Sequence, residues 1–411
     1  MSTKYINEFL DTFNEIGLTE KGMNRIAFTE NESKAKSLFK KICKNEGLSI
    51  EEDDIGNVIA RREGEDPSLS PVTTGSHLDT VINGGKYDGT AGIVSALEVI
   101  RRLNAKKIKT KHPIEIICFT AEESSRFGIS TIGSKFMTGK LNIEQIKNVK
   151  DSSGTTLKEA LENVGKKVIK IEKSLKQNKP LKSFFEVHIE QGPLLENNQK
   201  NIGIVTGIAS PTRYEILIKG KASHSGTTPM HLRNDAFLGA AELSLAIDEI
   251  AKKEADKGTV ATVGNCVVSP GAMNVVPETS KIQVDIRGIN SSSKLKVSAE
   301  IQEVSKQIKS SRNLEISIYQ LMEDKPVELD QNIIESIEET CNILDVPFQK
   351  MISGAGHDAM HMADICPTGL IFIPCKDGLS HHKEEFTSFN SIKIGCDVLE
   401  NEIIKEAISI K

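Results

Sequence analysis

A two-part α/β protein, with a mixed, largely parallel sheet flanked by helices and a smaller inserted α+β domain, is predicted by three features of the 411-residue sequence. Short apolar runs of strand length alternate with helical patterns early and late in the chain, which is the signature of a parallel sheet with crossover helices. Between about Pro211 and Lys325 the pattern changes to period-two strands around two long helical stretches. The length also suffices for two separately buried cores. The expected domains are residues 1–210 and 326–411, forming one larger domain, and an insertion at 211–325.

Taken in order, the opening segment MSTKYINEFLDTFNEIG alternates apolar and charged residues as an amphipathic helix does. It lacks the basic start and apolar stretch of a secretory signal, so a cytoplasmic address is expected. The basic runs at Lys34 to Lys44 and Lys106 to Lys111 read as solvated helix or loop surface. VTTGSH, IEIICFT, SFFEVHIE and GLIFIPC read as buried strands, with AGIVSALEVIRRL as a crossover helix. In the insertion, RYEILIKG, KIQVDIRG and LEISIYQL alternate as half-buried strands, and NDAFLGAAELSLAIDEIAKKEA and SSKLKVSAEIQEVSKQI read as helices.

Composition excludes several classes of function. An apolar fraction of 38% with no bilayer-length apolar run argues against a membrane protein. A net charge of −5 argues against a nucleic-acid partner. Seven scattered cysteines, with no CxxC pair, argue against a disulfide framework or a thiolate metal site, and Cys118 in IEIICFT reads as a small buried hydrophobe. Neither GxGxxG nor a P-loop follows the early strands, which removes a nucleotide-binding reading.

In an open α/β sheet, functional groups collect beyond the carboxyl ends of strands. VTTGSHLDT ends a strand on His77 and places Asp79 two residues on, where the acid can hold one imidazole nitrogen while the other binds a metal. GGKYDGTAG supplies Asp88 among glycines, IEIICFT runs into Glu122 and Glu123, SFFEVHIE gives His188, and DGLSHHKEEF gives His381 and His382. Singly, a loop histidine or a pair of adjacent glutamates is usually solvated surface. Together, nitrogen and carboxylate donors without thiolates suit a hydrolytic divalent metal site.

These strings, TGSHLDTVINGGKYDGTAG, FTAEESSRFG, HIEQGPLLE, ASHSGTTPMHLRNDA, GAMNVVPE, DIRG, SGAGHDAM and LSHHKEEFT, resemble the N-carbamoyl-L-amino-acid hydrolase and allantoate amidohydrolase branch of the M20 metallopeptidase family. The resemblance covers nearly the whole chain. It implies a catalytic domain holding two divalent ions, zinc first, with manganese, cobalt or nickel compatible. It also implies a lid domain that makes a homodimer.

Carried over by position, the resemblance makes Asp88 the bridging ligand, His77 and His188 the rest of one site, and Glu123 and His381 the rest of the other. Glu122 becomes the general base. His382 and Lys383 stand where the family has small residues or proline, which leaves His382 as the alternative ligand. His188 favours the amidohydrolase branch, since many M20 peptidases carry an acid there. Gln191 resembles a substrate-contacting glutamine, and His224 a histidine that reaches the partner subunit's site to stabilise an oxyanion. Asn274 and Arg287 resemble a pair that holds the substrate carboxylate, with Arg213 as a further contact. His357 and Asp358 are expected to line the pocket or brace a ligand. The activity so implied is hydrolysis of an N-carbamoyl-L-amino acid to L-amino acid, CO2 and ammonia. Allantoate is the nearest alternative substrate; β-ureidopropionate, a dipeptide or a non-enzymatic binding role follow at a distance.

Overall fold

Four strands, Val72–His77, Ile114–Phe119, Ser183–Ile189 and Thr368–Ile373, run parallel at the centre of the larger sheet. The computed structural model that shows them describes residues 4–175, 180–323 and 325–408. Contacts divide the chain into two units, Met1–Thr206 with Leu329–Lys411, and Gly207–Glu328.

Both faces of the parallel strands are covered, so no in–out alternation is needed; every residue of Val72–His77, Ser183–Ile189 and Thr368–Ile373 is buried. Helices Thr90–Ala105 and Phe389–Ile408 pack on each other and on these strands. Gly92 permits the close approach: a Cβ there would stand 2.4 Å from the Val187 carbonyl oxygen. Outside the parallel core the sheet turns antiparallel, through Val58–Arg62 and Ser49–Glu52 at one side and Ile202–Ile208 at the other. The sheet is thus mixed, with its parallel part confined to the strands whose carboxyl ends carry the candidate ligands.

In the smaller unit, strands Val260–Ser269, Thr279–Gly288, Ser210–Lys219 and Glu315–Glu323 form an antiparallel sheet in that order. Helices Ala236–Glu254 and Ser291–Ser311 cover one face, meeting Tyr214, Ile216, Ile218, Ile282, Val284 and Ile286. The strict alternation along Ser210–Lys219 and Thr279–Gly288 turns Arg213, Asp285 and Arg287 to the other, polar face. Asp235 and Asn290 cap the two helices by accepting first-turn amides.

All cysteines except Cys266 are buried, and no described helix is long and apolar enough to cross a membrane. One surface expectation fails. Lys36, within the basic run, is buried and pairs with Glu32 one helical turn earlier at 2.6 Å, because the helix Glu30–Asn45 turns that face towards Thr120.

Candidate active site

The carboxyl ends of the parallel strands deliver the charged residues to one place. His77 closes its strand, and its Nδ1 sits 3.0 Å from the Asp79 main-chain oxygen. His188 donates through Nδ1 to the Ile189 carbonyl at 2.9 Å. In both rings Nε2 is thereby left to face the centre of the site. The Asp79 carboxylate stands farther from His77, at 3.6 Å, and instead accepts the amides of Glu122 and Glu123 at 3.1 and 3.0 Å. Asp79 therefore orders the acid pair as well as the imidazole.

Asp88 lies in the middle. Its Oδ1 is 3.2 Å from His188 Nε2 and 3.4 Å from His77 Nε2, while its Oδ2 is 3.4 Å from His381 Nε2. His381 Nε2 is also 3.3 Å from Glu123 Oε1, and Glu122 Oε2 lies 3.8 Å from His77 Nε2. Two groups of donors result, His77–Asp88–His188 and Asp88–Glu123–His381, each with its donor atoms within 4.8 Å of one another. His382, one residue on, is exposed and accepts the Glu384 amide at Nδ1.

Backbone geometry marks the same residues. Ala121, Gln191 and His381 all adopt left-handed φ values, 51°, 57° and 56°, the kind of local cost that collects at functional sites. Gly89, at φ 61°, passes so close to His77 that a Cβ would lie 2.5 Å from three atoms of its ring.

The donor set fits divalent ions. Glu123 Oε1 is buried and has no hydrogen-bond partner among the described residues, and the surrounding donors are imidazole and carboxylate without sulfur. A third group, Glu186–His188–His357, is equally close-set. Its donors are already used: Glu186 accepts from Ser76 and the Ala359 amide, and His357 Nε2 pairs with Ser353 Oγ. His357 packs edge-on against His188, with ring centroids 4.5 Å apart, so it braces that ligand from behind. Asp358 hydrogen-bonds Ser134 at 2.6 Å.

Charge reinforces the geometry. Burial favours the neutral form of Asp88, but His188, His381 and His77 outweigh it and hold its carboxyl well below the usual range. Burial opposes the cation on His77 and His188, yet the facing acids raise both. The facing carboxylates of Asp88 and Glu123 push His381 up to about 11. In the metal-free protein the facing acids thus favour the protonated form of these imidazoles, and an incoming ion competes with those protons. Metal affinity is expected to rise with pH from 6 to 8, with at least about one proton released per ion. Calorimetry in two buffers of different ionisation heat measures this, and affinity independent of pH would contradict it.

Two groups that the sequence reading left without a role complete the site. Glu385 is buried and accepts the amides of Tyr87 and Asp88 at 2.8 and 3.0 Å. Ser380 donates to Asp88 Oδ2 at 2.8 Å and to Glu385 at 3.2 Å. Both belong to the LSHHKEEF string, where the neighbouring histidines His381 and His382 drew the attention. Gln191, expected at substrate, donates its amide to Asp88 Oδ2 at 2.7 Å, and its own oxygen is buried without a partner among the described residues.

In the smaller unit, His224 pairs in register with Val275, beside Asn274, and both residues are exposed. His224 Nδ1 accepts the Gly226 amide at 3.0 Å, so in the neutral ring Nε2 carries the proton and can donate. Arg213 and Arg287 share Asp285, at 3.3 and 3.1 Å, on the polar sheet face.

Comparison with known proteins gives the same direction throughout. The sequence pattern described as peptidase family M20/M25/M40 matches residues 73–405. A protein named uncharacterized hydrolase, from Haemophilus influenzae, is 46% identical over 94% of this chain and 93% of its own length. An N-carbamoyl-L-amino-acid amidohydrolase from a Pseudomonas species is 36% identical over 98% of both chains. A ureidoglycolate hydrolase from Oryza sativa is 36% identical over 92% of this chain and 79% of that one. For an allantoate amidohydrolase from Escherichia coli the identity is 31%, over 92% and 91%. The solved structure of an amidase of the hydantoinase/carbamoylase family, from Burkholderia multivorans, matches with a TM-score of 0.92 at 34% identity, covering 99% of this chain and 98% of that one.

Proposed function

Since this chain belongs to peptidase family M20/M25/M40, we propose that it hydrolyses the ureido C–N bond of a small N-carbamoyl-L-amino acid. It is an amidohydrolase of the carbamoylase and allantoate amidohydrolase branch, acting on C–N bonds other than peptide bonds. The products proposed are an L-amino acid, CO2 and ammonia. The observation that carries the reading is the split of Asp88, one oxygen towards His77 and His188 and the other towards His381.

His77, Asp88 and His188 would hold one divalent ion, and Asp88, Glu123 and His381 a second. When bound, such a pair lowers the pKa of water and polarises the substrate carbonyl. Glu122 takes the proton of the attacking water on its carboxylate and returns it to the leaving nitrogen. Asp79 keeps Glu122 in place through its amide. The unpartnered Gln191 oxygen is suited to accept a ureido N–H. From the smaller unit, His224 Nε2 would donate to the developing oxyanion across a homodimer, while Asn274, Arg287 and Arg213 would take the substrate carboxylate.

A second reading, allantoate or ureidoglycolate as substrate, is favoured by the relatives that carry those names. All three molecules are ureido groups on the α-carbon of a carboxylate and differ in whether that carbon bears a side chain, a second ureido group or a hydroxyl. Ammonia release from N-carbamoyl-L-methionine, allantoate and ureidoglycolate, each with Zn2+ and with Mn2+, tests the choice. Highest turnover on the carbamoyl amino acid is expected; preference for either other substrate replaces this reading with the second.

A further inference from the structure

We propose that Arg25 is a positioning residue of the metal centre, clamping the loop after His77 to the helical turn after Asp88. The inference rests on the reading above that His77 and Asp88 are ligands, and adds a residue that touches neither substrate nor ion.

The Arg25 side chain is fully buried, with 0% exposure. Its hydrogen bonds go to neutral acceptors: Nε to the Leu78 carbonyl at 2.8 Å, Nη2 to Thr90 Oγ1 at 2.6 Å, and Nη1 to the carbonyls of Phe13 and Ile16 at 2.8 and 3.2 Å. The main chain of Arg25 is also tied to Thr80, its N–H to the Thr80 hydroxyl and its carbonyl to the Thr80 amide, both at 3.0 Å. Burying a guanidinium without a hydrogen-bonded acid is expensive, so the contacts it makes must matter to the fold around it.

Their location is informative. Leu78 is the residue between His77 and Asp79, and Thr90 follows Asp88 by two, with its amide bonded to the Asp88 carbonyl. Nε and Nη2 lie on one edge of the guanidinium and present parallel N–H groups, so the pair fixes the separation of the two segments that bear His77 and Asp88. A lysine keeps the charge but offers no such fork. Phe13 and Ile16 anchor the same plane to the N-terminal helix region, which prevents the clamp from sliding.

The clamp acts on the ion shared by His77, Asp88 and His188 more than on the one shared by Asp88, Glu123 and His381. Thr90→Val, which keeps shape and removes the acceptor, is the sharper variant; Thr90→Ser restores the hydroxyl, and Arg25→Lys removes the fork. Chelator competition with Zn2+ on the full chain is expected to show two ions in the wild type. Thr90→Val and Arg25→Lys should hold one of them roughly 10- to 100-fold more weakly, the usual cost of losing an outer partner of a ligand, while the other changes far less and Thr90→Ser recovers. If Arg25→Lys does not fold, the Thr90 pair decides. Two ions at wild-type affinity in Thr90→Val, even with a lowered melting temperature, would reduce Arg25 to a core residue and overturn the proposal. A wild type that takes up no ions would overturn the functional reading as well, so the two failures are distinct.

Discussion

Glu122→Gln protein is expected to contain as much metal as the wild type and to turn over roughly 10²–10⁴-fold more slowly, the usual worth of a positioned general base. The carboxylate is buried, with Oε2 3.8 Å from His77 Nε2 and outside both donor sets, and its amide is held by Asp79. Burial, together with Glu123, Asp358 and Asp79, raises its pKa well above the ordinary value, against the pull of His77. A carboxylate in such a site is a stronger base than an ordinary one, which suits a group that must pick up a proton and hold it until the leaving nitrogen needs it. Glutamine has the same shape but cannot take the proton. Metal analysis alongside ammonia release reads both parts of the expectation; full turnover with full metal would remove Glu122 from the chemistry.

Asp88→Asn is expected to weaken both ions together. Loss of an outer partner already costs about 10–100-fold in metal affinity, so loss of a shared ligand should cost at least about 100-fold for each. The reason is geometric: asparagine keeps one acceptor oxygen and turns an NH2 group to the other side, where Ser380 and Gln191 already point donors. Whichever way the amide faces, one donor group loses its carboxylate oxygen. Titration of the variant with Zn2+ followed by competition with a chelator gives the two affinities. Retention of one ion at wild-type strength would mean that Asp88 serves a single ion.

Much of this site was legible in the sequence because its residues stand at or just beyond the ends of short strand-length segments. VTTGSH and SFFEVHIE announce both their burial and their ends, so His77 and His188 could be placed at the rim of a sheet from pattern alone. The inserted sheet was legible for the opposite reason: Ser210–Lys219 and Thr279–Gly288 alternate without a break. Less visible were the edge strand Ser49–Glu52 and its neighbour Val58–Arg62, short strands carrying Glu51, Glu52, Arg61 and Arg62, in which charge masks the strand pattern.

Arg25, Ser380 and Glu385 were invisible as site residues because their role lies in contacts across the chain. Nothing in GMNRIAF distinguishes a buried guanidinium from a surface one; carbonyls from Phe13 and Leu78 make the difference. Glu385 owes its burial to the amides of Tyr87 and Asp88, nearly three hundred positions earlier. Asp79 is intermediate, since its nearness to His77 follows from spacing but its hold on the Glu122 and Glu123 amides requires two strands to lie side by side.

The tight passage of Gly89 beside His77 bears on how ions are captured. With backbone packed against the ring and the Asp79 carbonyl fixing Nδ1, the imidazole has little freedom to swing or turn over. Its ordering cost is met when the chain folds, so an arriving cation finds this nitrogen already aimed and spends little of its binding energy on arranging it. Uptake on that side should then be governed by how fast the ion sheds its own water shell.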